Sequence, residues 1–262
     1  MDEATVRTQI DALDSGNGVL DLEGWTATEV RGADAEAWLN DLVTASVEDL
    51  EPGTTVRSLL LGPTGRIRAE FHVARSAEGF LLLQGPGQPE PVGALLDPYV
   101  LSSDVEIRLA GTEALAVTPA AGPRWAIARD ASSNAHVRVG AEAFDAWRVR
   151  HGIPLFPDDL DRDSLPAEGG LDVEPVIDRT KGCYLGQESV ARVRNRGHPP
   201  RVVQAVEAEA FVPSGTAVFS TDAEVGIVTS AEPDGRAAIV RIRWDARDSD
   251  LVTGAGTTLR RR

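Results

Sequence analysis

The sequence contains little of what metal sites, disulfides and membrane spans require. A single cysteine, Cys183, excludes an internal disulfide. The four histidines have no metal-ligand spacing beside it, which excludes a structural zinc site. No apolar run approaches the roughly 20 residues that cross a bilayer, so we expect no membrane span. The start of the chain at Met1, Asp2 and Glu3 lacks the basic and apolar segments of a secretory signal, which predicts a cytoplasmic protein.

Positive charge is also scarce. The chain carries 26 basic residues against 41 acidic ones, a net charge of −15, and Lys181 is its only lysine. The preference for arginine is typical both of a GC-rich genome and of adaptation to salt, and composition leaves both open. So acidic a chain excludes a protein that binds nucleic acid over its whole surface, because such a protein needs a basic face against the phosphates. Any anion site must therefore be local.

The apolar pattern predicts a fold built mainly of antiparallel strands. The 262 residues are enough for two domains of typical size, each with its own hydrophobic core. The runs 56–61 and 67–73 flank a Gly-Pro-Thr-Gly turn, and the second run alternates apolar and polar residues, which predicts a hairpin. Helical spacing predicts helices at 35–42 and 141–151. Because hairpins dominate, we predict the α+β class.

Changes along the chain divide it into three regions. Residues 1–110 and 111–199 each mix strands with helices, and we predict two α+β domains there. Residues 152–175 are rich in proline and lack periodicity, which is typical of a functional segment or a linker. From residue 200 onward, strands are separated by turns with no helical stretch, which predicts a small all-β barrel domain over 200–262.

The segment from Arg179 to Arg201 differs from the rest of this acidic chain, and we call it the basic island. It holds six positively charged side chains and one negatively charged one, Glu188, so it creates a local positive potential. Arg192, Arg194 and Arg196 alternate with other residues, which predicts three guanidinium groups on one side of an extended strand. Such a row suits carboxylates or phosphates, which arginine binds through two parallel hydrogen bonds. Alternatively, these arginines neutralise neighbouring acidic loops.

Within the basic island, the stretch from Lys181 to Glu188 reads KGCYLGQE. Gly182 and Gly186 bracket the only thiol, a spacing that suits a tight loop. Cys183 lies two residues from the only lysine, and a nearby cation favours the reactive thiolate. The alternative is that Cys183 is an inert, buried apolar group, as many free cysteines are. No histidine has the spacing of a Cys-His nucleophile pair, so the loop gives little support to protease or acyl-transfer chemistry.

This octapeptide, with the Val-Ala-Arg that follows at 190–192, resembles the signature of the YgfZ family of folate-binding proteins. That family is related to the glycine-cleavage T-protein, an aminomethyltransferase. Three further stretches are similar to the family: the G-A-D-A and L-V-T motifs within 30–50, the G-R-I of the hairpin at 65–67, and the G-I-P and L-P-A-E motifs within 150–170. The predicted β domain stands where the family has its barrel. The resemblance therefore spans nearly the whole chain.

The resemblance implies a ring-like, multi-domain T-protein fold around a central site for tetrahydrofolate or a one-carbon derivative of it. It also implies a role in assembling or repairing iron–sulfur proteins, including enzymes that modify tRNA. The implied partners are folate, iron–sulfur proteins or their assembly machinery, and tRNA, without a membrane. The family's signature loop corresponds here to Lys181, Gly182, Cys183, Tyr184, Gly186, Gln187 and Glu188. Cys183 would be its functional thiol, and Arg192 and Arg194 would receive the carboxylates of the folate tail.

Two departures from the T-protein leave enzymatic activity open. Where that enzyme has two aspartates near the folate nitrogen, this chain has Ala69 and Glu70. Where it has an R-x-E element, residues 148–150 read Arg-Val-Arg. Glu70 is then the nearby carboxylate that could steer the folate nitrogen. Alternatively, Glu70 shares a solvated strand face with Arg68 and His72.

Three hypotheses on function therefore compete. The leading one is a tetrahydrofolate-binding accessory protein for iron–sulfur cluster assembly or repair, which supports iron–sulfur enzymes that modify tRNA. The second is a folate-dependent aminomethyltransferase that moves a one-carbon unit. The third is a non-catalytic RNA-binding module, which only the basic island supports. Its arginines do not interleave with aromatic residues as in base-stacking platforms.

Overall fold

A computed structural model describes residues 3–112, 115–122, 124–128, 136–233 and 235–262. Met1 and Asp2, on which the expectation about a secretory signal partly rests, lie outside the described residues. The helices are α1 (Glu3–Asp14), α2 (Ala35–Asn40), α3 (Val92–Leu96), α4 (Ala141–Arg150) and α5 (Gln187–Arg196). The strands are β1 (Gly18–Asp21), β2 (Thr26–Arg31), β3 (Thr55–Leu61), β4 (Ile67–Ser76), β5 (Gly79–Gln84), β6 (Glu106–Ala110), β7 (Ala116–Thr118), β8 (Ala126–Ala128), β9 (Val137–Val139), β10 (Arg201–Ala208), β11 (Ala217–Ser220), β12 (Ala223–Ala231), β13 (Ala237–Arg243), β14 (Leu251–Thr253) and β15 (Thr258–Arg261).

The first sheet is antiparallel, with the strand order β3-β4-β5-β2-β6. Its β3–β4 pair confirms the predicted hairpin, with Leu60 opposite Ala69. One face packs on α2 and α3 in a core that contains Trp38, Phe71 and Leu96. The other face is also covered, because Leu83 of β5 joins a second core with residues of α4 and β7. Both faces of this sheet are therefore buried, so alternation along β4 does not separate core from solvent.

The second sheet has the order β8-β7-β1-β9, and α1 and α4 pack beside it. β1 runs antiparallel to β7 and parallel to β9. Early strand β1 thus pairs with strands that follow residue 110, so the chain crosses from one sheet to the other and back. The domain boundaries drawn from the sequence at 110 and 199 remain predictions.

The C-terminal strands form a closed antiparallel barrel in the order β10-β13-β12-β11-β14-β15. A closed barrel leaves no sheet edge unpaired. Its interior is filled by small aliphatic side chains such as Val206, Val228 and Ile242. The prediction of an α+β fold with an all-β C-terminal barrel is therefore confirmed. No helix in the described part of the chain has the length and apolar character needed to span a membrane.

The arginine row of the basic island lies on a helix, so the predicted extended strand there is wrong. Helix α5 follows Gly186, whose backbone has the left-handed φ of +84°. Val190 and Val193 both line the hollow against residues 165–172. Residues three apart lie on one face of a helix, so the spacing of these two valines indicates a helix. The alternation of the arginines, which is typical of a strand, obscured that indication. On a helix, Arg192 and Arg194 point to different sides of the axis.

Candidate functional site

A cavity of about 390 Å³ lies between the first sheet and the unit formed by the second sheet and α4. Its walls come from five separate parts of the chain: residues 21–25, strands β4 and β5 with the loop to residue 88, Trp125, helix α4, and residues 155–158. The last of these belong to the proline-rich stretch 152–175, which we call the irregular segment. This volume falls in the range of sites for small molecules, which bind mainly between structural units. The cavity is therefore the first candidate for a ligand site.

Aromatic rings form one wall of the cavity. The imidazole of His72 stacks on the indole of Trp125, with ring centroids 3.8 Å apart and planes 25° from parallel. Phe144 of α4 meets Trp125 edge-on at 5.7 Å, and Trp25 lies 6.1 Å from it. Leu83, Leu155 and Phe156 add to the apolar lining. A slot with such walls suits a flat ring system, because aromatic pairs favour offset stacked and edge-to-face contacts.

His72 contributes a hydrogen-bond donor to this wall. Burial lowers the pKa of His72 well below 6.5, and the charge of Arg57 lowers it further, so the ring is neutral. Its Nδ1 lies 2.9 Å from Oγ1 of Thr55, which already accepts a hydrogen bond from the backbone N–H of Trp125. Among the described residues the Thr55 hydroxyl has no other acceptor, so it donates to Nδ1, which assigns the ring proton to Nε2. Nε2 has no hydrogen-bond partner among the residues that the structure describes.

Glu70 also lines the cavity, but its carboxylate is already engaged. Arg57 donates to Oε1 from Nε at 2.9 Å, and the backbone N–H of Phe156 donates to Oε2 at 3.0 Å. Glu70 is 5% exposed, so the solvated strand face expected for it is wrong. His72, on the same face, is 4% exposed. The reason is tertiary: the irregular segment and α4 cover this face of the sheet.

Four other carboxylates line the cavity, from Asp21, Glu23, Asp145 and Asp158. Glu23 and Asp158 are exposed and so lie at the mouth. Burial raises the pKa of Asp158, although Arg148 at 3.6 Å opposes the rise. These oxygens are acceptors for N–H groups of a ligand. Within the described residues, no group of three or more histidine, cysteine or acidic side chains is arranged to hold a metal ion.

The two arginines at 148 and 150 have structural partners. Arg148 is 2% exposed, and its guanidinium donates to Asp159 at 2.7 Å and to Ser230 of the barrel at 2.8 Å. It therefore ties α4 to the irregular segment and to β12. Arg150 pairs with Glu232 of the barrel, away from the cavity. The base that replaces the acid of the T-protein's R-x-E element thus joins two parts of the fold.

The signature loop 181–188 lies outside this cavity. Cys183 is exposed, so of the two alternatives for it the inert, buried thiol is wrong. Nζ of Lys181 donates to the backbone carbonyls of Val43 and Ala45 at 2.8 and 2.9 Å, and burial lowers the pKa of Lys181 to about 8. Tyr184 is buried in a core cluster, and burial raises its pKa to about 12. The loop therefore combines an exposed thiol with a lysine whose amine is held by backbone carbonyls.

The two glycines of the loop differ in their surroundings. At Gly186, a Cβ atom would lie 2.7 Å from the carbonyl oxygen of Gly62, in the turn of the β3–β4 hairpin. At Gly182, a Cβ atom would meet no atom of the described residues within 4 Å. Gly186 is thus required for packing the loop on the hairpin. Gly182 has no such packing requirement.

The remaining residues of the predicted site lie along α5. Gln187 and Arg194 line a hollow of about 120 Å³ beside Tyr184, whereas Glu188 and Arg192 line a more open depression on the neighbouring face of the helix. Of the residues predicted for the site, Glu70 alone lines the large cavity. Sequence reasoning missed its aromatic wall and His72. Those residues come from distant segments and form no motif. Because only 5% of the chain is aromatic, each aromatic residue was nevertheless worth considering as part of a site.

Comparisons with known proteins agree with this architecture. A profile of the family described as the GCVT N-terminal domain matches residues 2–128. The tRNA-modifying protein YgfZ of Aliivibrio fischeri is 25% identical over 215 residues, covering 68% of this chain and 67% of that protein. The mitochondrial iron-sulfur cluster assembly factor IBA57 homolog of Pyricularia oryzae is 25% identical over 213 residues, covering 69% and 54%.

A solved structure shares the fold. The glycine cleavage system aminomethyltransferase T from Bartonella henselae superposes with a TM-score of 0.74 at 16% identity, covering 96% of this chain and 87% of that one. This likeness confirms the predicted T-protein fold. Together, the matched domain and the relatives support a YgfZ-like protein of the GCVT superfamily.

Proposed function

We propose that this protein binds tetrahydrofolate, or a one-carbon derivative of it, with the pterin ring in the aromatic slot of the 390 Å³ cavity. We further propose that it acts as an accessory factor in the assembly or repair of iron–sulfur proteins, including enzymes that modify tRNA. The aromatic cavity with its unengaged polar groups is the observation that carries the proposal. Bound tetrahydrofolate would supply a carrier for one-carbon units.

The cavity residues fit the ring chemically. The pyrimidinone half of a tetrahydropterin is planar, with N–H groups along one edge and a carbonyl oxygen on the ring. The stacked pair of His72 and Trp125 offers a surface parallel to such a ring, and Phe144 offers an edge. Aromatic pairs of this kind contribute about 0.5–1.5 kcal/mol beyond the buried area. The Nε2–H of His72 is a donor for the carbonyl, and carboxylate oxygens of the cavity lining are acceptors for the N–H edge.

The iron–sulfur role is supported by the relatives and by the exposed thiol. The names of two relatives state tRNA modification and iron–sulfur cluster assembly. Cys183 is the only cysteine and is exposed, so it can reach a partner protein. One thiolate is a single ligand where clusters take about four. The protein would therefore act on clusters held by other proteins, with Cys183 as a transient ligand or a resolving thiol.

Aminomethyl transfer has less support from this geometry. Ala69 has no carboxylate, and both oxygens of Glu70 are engaged by Arg57 and by the backbone of Phe156. A carboxylate held in this way is fixed in orientation by Arg57 and Phe156, and its charge is already balanced, which weakens its pull on a folate nitrogen. An accessory role with a bound folate requires no such group. Incubation with tetrahydrofolate and an aminomethyl-lipoyl donor distinguishes the two, since only the transferase releases ammonia.

Calorimetric titration with tetrahydrofolate tests the binding step. The variant His72→Phe keeps an aromatic ring against Trp125 and removes the Nε2–H donor. We expect it to bind about tenfold more weakly than wild type, the effect of one hydrogen bond. The matched control is His198→Phe, because His198 stacks on Trp244 in the barrel region, away from the cavity. Absence of binding by the wild-type protein would contradict the proposal.

A deletion strain tests the cellular role. The activity of an iron–sulfur enzyme that modifies tRNA should fall in the strain under oxidative stress, and plasmid-borne wild type should restore it. Cys183→Ala should restore it only in part if the thiol takes part, and full restoration would remove Cys183 from the mechanism. Undiminished enzyme activity in the deletion strain would refute the accessory role.

A further inference from the structure

We infer that the cavity selects folates by the charge of their tail, binding the ring with one glutamate or none and disfavouring polyglutamylated forms. This inference rests on the proposed function and specifies its ligand. It reverses the expectation from the basic island, whose arginines were to receive the tail. The argument depends on where the charges of the cavity lie.

The charges along the cavity wall are mostly negative. Among the residues that the structure describes, five carboxylates and one guanidinium line it. That guanidinium, of Arg148, is already surrounded by Asp145, Asp158 and Asp159 at 2.6 to 3.6 Å. Glu70 is balanced by Arg57, which is itself buried behind it. The remaining carboxylates leave an excess of negative charge facing the cavity.

This excess is greatest at the mouth, through which any tail must pass. The exposed lining residues are Glu23, Pro86, Ala141 and Asp158, and two of these four are acidic. Asp21, half-buried beside them, is paired with Arg138 of β9 at 2.5 Å. A ligand with N–H groups is attracted to such a rim, and a chain of carboxylates is repelled by it.

The basic island does not relieve this repulsion. Arg194 lines the hollow beside Tyr184, and Arg192 lines the depression on α5. Neither belongs to the lining of the large cavity. Arg179 donates to the backbone carbonyl of Asp172 at 2.8 Å, within the irregular segment. A tail that left the cavity would thus meet Glu23 and Asp158 first.

The size of the effect follows from Coulomb's law. Two like charges about 10 Å apart in water repel enough to weaken binding roughly twofold. Four additional glutamates near two rim carboxylates should therefore weaken binding about tenfold at low salt. At an ionic strength of about 1 M the screening length is only about 3 Å, so the difference should vanish.

Titration of the 262-residue chain with three probes tests this inference: 6-methyltetrahydropterin, monoglutamyl tetrahydrofolate and pentaglutamyl tetrahydrofolate. At 10 mM salt, we expect the pentaglutamate to bind about tenfold more weakly than the monoglutamate, and the two to converge at 1 M. The double variant Glu23→Gln, Asp158→Asn should remove at least half of the discrimination. The control Asp222→Asn, at an exposed turn of the barrel, should retain all of it.

The outcomes separate this inference from the proposed function. Equal or tighter binding of the pentaglutamate at low salt overturns the inference and leaves folate binding standing. Discrimination that persists in the double variant also overturns it, because the rim would not be its source. Failure of all three probes to bind overturns the proposed function, and the inference with it.

Discussion

The buried ion pair between Arg57 and Glu70 supports the floor of the cavity, and its removal has a calculable cost. The two side chains are 8% and 6% exposed, with Nη2 and Oε1 2.8 Å apart. Glu70→Gln leaves the Arg57 charge buried without a counter-charge, which costs about 3–5 kcal/mol. The amide oxygen of glutamine still accepts from the N–H of Phe156, so the loss reports on the charge. Arg57→Met should cost a similar amount, because it strands the carboxylate.

A double-mutant cycle isolates the pair. We expect Arg57→Met, Glu70→Gln to cost no more than either single change, a coupling of about 3 kcal/mol. The assay is equilibrium urea denaturation at pH 7, followed by tryptophan fluorescence. The exposed pair of Arg260 and Glu209 is the control, and its cycle should show no measurable coupling. Costs at the buried pair that add within about 0.5 kcal/mol would refute the reasoning.

Three further predictions concern a histidine, the only lysine and two glycines. Burial lowers the pKa of His72, so the unfolded chain binds a proton more readily than the folded one. The free energy of unfolding should therefore fall as the pH drops below about 6.5, and it should fall less in His72→Gln. Urea midpoints at pH 7.5 and pH 5 measure both effects. Since Lys181 is the only lysine and its pKa is about 8, acylation of its amine should rise with a midpoint near pH 8, and a midpoint near 10.5 would contradict its burial. Gly186→Ala should lower the free energy of unfolding by about 2–4 kcal/mol, because a Cβ at φ +84° meets Gly62. Gly182→Ala should change it by less than about 0.5 kcal/mol, and equal losses would show that packing is not the cause.

Local signals were sufficient for much of the fold. The hairpin was predictable because its turn and the alternation of 67–73 are contiguous in the chain. The all-β character of the barrel was predictable because the turn residues at 213–215 and 233–235 separate strand-like runs, although the sequence showed only three of its six strands. The error at α5 arose because Arg192 and Arg194 alternate in sequence, which is compatible with a strand as well as a helix. The spacing of Val190 and Val193 distinguishes the two, since only a helix places both against one surface.

The sequence by itself identified the YgfZ-like loop and its thiol, because the residues of the octapeptide are contiguous in the chain. The placement of the ligand cavity required the folded molecule. Glu70 and His72 are spaced as on a solvated strand face, and they are buried because segments more than 50 residues distant cover that face. Periodicity reports which residues share a face, and it carries no information on what lies opposite. The charged groups and aromatic rings that line the cavity come from distant segments, and long-range packing brings them together. The polarity of the cavity therefore depends on the tertiary structure.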